Sequence, residues 1–191
     1  TEPHKGCIYP SQLTSQWMYA LMKGVFGKQR PIGFKPAEIS ALINREVVEQ
    51  HSEEAAFLWT QRDSAALAPN YSLADFAKLD GRVEAHLDGL RASGEFGWSL
   101  AFDARDTGPG EAFAAAVLAF ESHNPAPVEP VVETAVSDRI LQRGVVSALG
   151  WIQTDQAVRS VARLAGVESA ECRRIALATF AIHRRDPRDF L

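Results

Sequence analysis

Three eleven-residue segments, AFAAAVLAFES (112–122), RGVVSALGWIQ (143–153) and RIALATFAIHR (174–184), align on one another at a constant offset of 31 residues. Their seventh position is Leu118, Leu149 and Phe180, and their ninth is Phe120, Trp151 and Ile182. Each segment is apolar over most of its circumference, which suits a helix enclosed by others. Between them lie two amphipathic stretches, PVEPVVETAV and TDQAVRSVARLAG. A helix pair repeated at this spacing cannot bury its own apolar face and must stack on its neighbours. The repeat therefore predicts an all-α chain with an α-solenoid of helical hairpins over residues 109–191.

The segments before the repeat are helical as well. Pro36 suits a first helical turn, and Ala37 to Leu67 contains no Gly or Pro, enough for a helix of roughly 45 Å at about 1.5 Å per residue. Pro69 ends it. Ser72 followed by Asp75 has the form of a capping box, and Leu79, Val83, Leu87 and Leu90 recur at helical spacing until Gly94 closes the segment. Residues 95–110, EFGWSLAFDARDTGPG, predict a short apolar helix around Trp98–Phe102 and then a glycine-rich turn. No alternating run of β-branched residues predicts a strand. This divides the chain into an N-terminal appendage (1–40), a helical module (41–108) and the repeats (109–191).

The net charge of −4 conceals an uneven distribution: residues 1–40 carry +3, residues 41–136 carry −10, and residues 137–191 carry +3. An acidic middle argues against a nucleic-acid groove along the whole molecule, because phosphate binding needs a continuous basic stripe. No apolar run is long enough to span a membrane, and the first residues lack the pattern of a secretory signal. A cytoplasmic location is the default expectation. Cys7 and Cys172 stand far apart without a CxxC pair or matching histidines, so two free thiols are expected rather than a disulfide framework or a zinc site.

Taken together, NREVVEQHSEEAAFLWTQRD, YSLADFAKLDGRVEAHLDGLRASGEFGW and GPGEAFAAAVLAFES with the degenerate helical pairs after it resemble a family of bacterial HEAT-repeat proteins of uncharacterised function, some encoded near type VI secretion clusters. The resemblance covers residues 44–191 and not the first 43. It implies a HEAT or armadillo-type fold, an array that continues in longer members, and a setting beside a secretion apparatus. It carries over no catalytic residue and no cofactor.

Among candidate sites, His51 falls in the middle of an apolar stripe with Val47, Val48, Ala55, Leu58, Trp59 and Arg62, while Glu49 and Glu53 point away. Only Glu54 borders the stripe. A metal cluster of His51, Glu54 and His86 is the functional reading. The Glu-x-x-His pairs of carboxylate metal bundles and the HExxH motif are both absent, so a core histidine bonded to a carboxylate or carbonyl is the preferred reading. Gly108-Pro109-Gly110 caps a helix rather than binding a dinucleotide, Gly27-Lys28 lacks the phosphate-loop spacing, and no GxSxG or activated cysteine supports nucleophilic catalysis. No cofactor, catalytic residue or metal is assigned.

The remaining candidates are surfaces. Arg143 and Arg174 hold equivalent repeat positions, and Arg159 and Arg163 stand four apart on the intervening helix. A solvated face with ion pairs to Asp155, Glu168 and Glu171 is weighed against an acidic or phosphate-bearing partner. SQLTSQWMYALMKGVF (11–26) carries Leu13, Trp17, Leu21 and Met22 at helical spacing, a face suited to docking on the repeats. The final helix, Ala170 to Arg185, is apolar on more than one side and predicts an open edge beside Phe180 and Ile182, covered by a further repeat, another copy or a partner. The function expected is a non-catalytic protein-interaction scaffold; the alternative is a nucleic-acid-binding HEAT-like protein resembling a DNA repair glycosylase.

Overall fold

Small polar residues and glycines decide where the helices begin. The computed structural model describes residues 44–122 and 127–189, and all regular elements among them are helical. Helix α1 spans Arg45–Ala65 and α2 spans Leu73–Ala92. The part of the expected first helix before residue 44, the amphipathic stretch 11–26 with Trp17, and Cys7 lie outside the described residues. At the start of α2, the Ser72 hydroxyl accepts from the Asp75 amide at 3.3 Å, and the Asp75 carboxylate accepts from the Ser72 amide at 3.2 Å. This capping box satisfies two donors that a helix end leaves open. The Ser72 hydroxyl and amide, with Lys78, also hold the Asp75 carboxyl below the usual carboxylate range.

Helix α2 stops at Ala92, and Gly94 adopts φ 58°, a left-handed conformation that glycine enters without steric penalty. The chain then turns straight into α3 (Gly94–Ala104), so Gly94 opens the short apolar helix as well as closing the long one. Helix α4 (Pro109–Glu121) places Pro109 in its first turn after an extended Gly108. Helix α5 is Val128–Ser137. Asp138 caps α6 (Arg139–Trp151), its carboxylate accepting from the Ile140 amide at 2.6 Å. Helix α7 is Thr154–Ala165, and Ser169 caps α8 (Ala170–Ile182). A short 3-10 turn follows at Pro187–Asp189.

The repeated segments fall on α4, α6 and α8, each of 13 residues, and Leu118, Leu149 and Phe180 are all buried. Helix α1 packs on α2 and α4, α4 on α6, α5 on α6, and α7 on α8. The residues from Arg45 onward form one compact unit with no division at 108/109. Glycines allow the closest approaches. A Cβ on Gly110 would collide with the Ala56 carbonyl of α1, and one on Gly144 with the Pro109 carbonyl of α4. Trp59 of α1 stacks on Phe113 of α4 at 5.3 Å, and Trp151 of α6 meets the same ring edge-on at 5.4 Å. Three helices are thus joined through one aromatic column, a geometry that adds to simple apolar burial.

Candidate functional site

A chain of polar contacts runs beside that column. The Arg62 guanidinium binds Asp80 and lies 5.5 Å from the Trp151 ring centre. Trp151 donates its indole N–H to Glu84 at 2.6 Å. Glu84 in turn accepts from Arg91 at 2.7 Å, and Arg91 makes a two-pronged contact with Glu121 at 2.8 and 2.9 Å. Burial opposes the Arg91 charge, but its bonds to Glu121, Glu84 and Asp88 outweigh that and raise its pKa above the ordinary arginine value. The contacts tie α2 to α1, α4 and α6. Arg62, Asp80, Glu84, Arg91, Glu121 and Trp151 each have a protein partner, so the cluster fastens helices together.

His51 and His86 meet across the α1–α2 contact, Nδ1 to Nδ1 at 3.1 Å, with ring centres 5.2 Å apart. One ring must donate and the other accept, so at least one is neutral in this geometry. Burial, then the neighbouring His51 and Arg82, lower the His86 pKa, and Glu54 acts in the opposite direction. His51 is half-buried. Its partner is a second histidine rather than the carboxylate or carbonyl expected, and Glu54 acts on His86 through its charge. Gly89 makes the contact possible, because a Cβ there would strike the His51 ring. Among the described residues no group of three or more His, Cys, Asp or Glu side chains is placed to hold a metal ion.

The four arginines diverge. Arg143 pairs with Asp63 of α1 at 2.8 Å, and Arg174 donates to Gln142 of α6 at 2.7 Å. Arg159 and Arg163 stay exposed on α7. Asp155, an expected partner for that face, pairs instead with Arg185 at 3.3 Å. The repeat-equivalent positions are therefore occupied by internal contacts, and a convergent basic face is reduced to the α7 pair. On α8, Phe180 is only 1% exposed, whereas Ile182 is 48% and Leu177 49% exposed. The exposed apolar side chains of α8 are Leu177 and Ile182, which five positions place on different sides of the helix, and Phe180 lies in the core.

One expectation is corrected outright. Cys172, fully buried in the first turn of α8, is in a disulfide and is not a free thiol. Sequence spacing misses this because disulfide pairing depends on tertiary proximity, which leaves no local pattern. Disulfides persist in oxidising compartments, so the cysteines give no ground for the cytoplasmic expectation. Among the described residues no helix is long and apolar enough to cross a membrane.

Glu84, Arg91, Glu121 and Trp151 do not stand out as a group in the sequence. Glu84, Asp88 and Arg91 share a helix face at spacings of four and three, which is a legible local signal; the links to Glu121 and Trp151 are not. No family model, no curated protein and no solved structure matches the chain.

Proposed function

We propose that the chain is a HEAT-like α-solenoid that acts as a non-catalytic protein-interaction scaffold, with α8 as its docking face. One contrast carries the reading. Helix α4 is buried without interruption from Ala112 to Phe120, while α8, in the same sequence register, keeps Leu177 and Ile182 about half exposed. Stacked helical pairs cover one another, and apolar side chains left uncovered on such a stack offer a surface for association. The resemblance to bacterial HEAT-repeat proteins adds a setting, an adaptor or accessory of a type VI secretion apparatus. The engagement of Arg143 and Arg174 within the fold favours a protein partner over a nucleic acid, which needs a continuous free basic stripe.

The test is affinity capture from the native cell extract with the wild-type chain and a Leu177→Glu/Ile182→Glu variant of matched thermal stability. The reading predicts a protein retained by the wild type and lost by the variant. Equal retention by both, or tight DNA binding that weakens steeply above about 0.15 M salt, contradicts it.

A further inference from the structure

Helices α1 and α8 expose rows of opposite charge around an apolar centre. On α1, Gln50, Glu53, Phe57 and Thr60 are all exposed and share one side of the helix, with Phe57 63% exposed. On α8, Ala170, Arg173, Leu177 and Ala181 form the corresponding exposed row, and exposed Arg184 follows just beyond the helix. Glu53 stands four residues before Phe57, and Arg173 stands four residues before Leu177. On both helices the charge therefore lies about 6 Å, roughly one turn, from the apolar side chain. Among the described residues neither Glu53 nor Arg173 has an ion-pair partner.

We infer that these two faces bind each other between copies of the chain, α1 of one molecule receiving α8 of the next, with Phe57 against Leu177 and Glu53 beside Arg173. This rests on the reading of α8 as a docking face and names its occupant. A contact between two different faces is heterologous, so it leaves one face free at each end and propagates head to tail instead of closing into a two-fold dimer. The charge distribution along the chain has the same polarity, −10 over residues 41–136 and +3 over residues 137–191. Such attraction is felt at a distance at low ionic strength and is screened by salt.

The test is sedimentation velocity of the full chain over a range of concentrations, with Phe57→Glu and Leu177→Glu as variants. Both positions are exposed, so both variants are expected to fold, which circular dichroism checks. The wild type is expected to form larger species as concentration rises, and each variant to associate at least about tenfold more weakly. An equimolar mixture of the two variants retains one intact pair of faces and is expected to stop at a dimer. The double variant Glu53→Arg/Arg173→Glu, which exchanges the charges within one chain, is expected to associate again where either single change does not. A wild-type chain that stays monomeric while capturing a foreign protein through Leu177 overturns this inference and leaves the scaffold reading standing. Self-association that persists in Leu177→Glu also overturns this inference, and the capture experiment then decides the scaffold reading separately.

Discussion

Helices α4 and α8 carry segments that align in sequence, and they have opposite surroundings. Helix α4 touches α1 through Gly110 and α6 through Gly144, and its Phe113 lies between Trp59 and Trp151. Helix α8 packs on α7 and α6 and leaves the row of Arg173, Leu177 and Ala181 in solvent. Register fixes which residue turns inward, since Leu118, Leu149 and Phe180 are all buried. The neighbours decide everything else: a side chain at any other position is core or surface according to what stacks beside it. Function in such a chain is sought where stacking leaves a face uncovered.

The contrast breaks most visibly at Phe113. Phe113→Ala removes the ring shared by two tryptophans and is expected to cost about 3–5 kcal/mol in urea unfolding; a loss below about 1 kcal/mol would show that α4 is not the enclosed element described. Leu118→Ala and Leu149→Ala probe the register and should each cost about 2–5 kcal/mol, with one of them behaving as a surface change if the alignment is out of phase. Gly144→Ala pushes a methyl against the Pro109 carbonyl, and overpacking of this kind costs about 1–3 kcal/mol. The pH dependence is smaller. The His86 pKa is lowered from 6.5 in the folded chain, so the unfolded chain binds more protons in the window below 6.5. Stability is then fully present above that value and declines as pH falls toward the folded pKa. Urea midpoints at descending pH should show this decline, and His86→Gln should flatten it. Smallest of all, Leu177→Ala should stay within about 0.5 kcal/mol of the wild type, which separates the open helix from the enclosed one in a single pair of measurements.

Local chemistry in this chain was legible and distant chemistry was not. The Ser72–Asp75 capping box and the Pro109 helix start follow from spacing of a few residues, and the inward Leu149 follows from the 31-residue offset. The helix end at Gly94 was legible as well, because a glycine that enters the left-handed region closes one helix and redirects the chain into the next. His51 was expected to bond a carboxylate or carbonyl, yet its partner lies 35 residues away and is another histidine. The bond from Trp151 to Glu84 spans 67 residues, and no periodicity encodes it. Arg143 and Arg174 were matched by the repeat, but whether an arginine faces a partner protein or an aspartate of its own chain depends on tertiary packing.

The central claim, that association occurs on the open side of α8, is tested most directly by a photo-activated cross-linking residue placed at Leu177, with Lys78 on the exposed side of α2 as the control. Irradiation of the native chain in its cell extract is expected to give a covalent adduct from position 177 and none above background from position 78, the adduct mass revealing whether the partner is another copy or a different protein. Adduct formation at 177 no greater than at 78 would contradict the account.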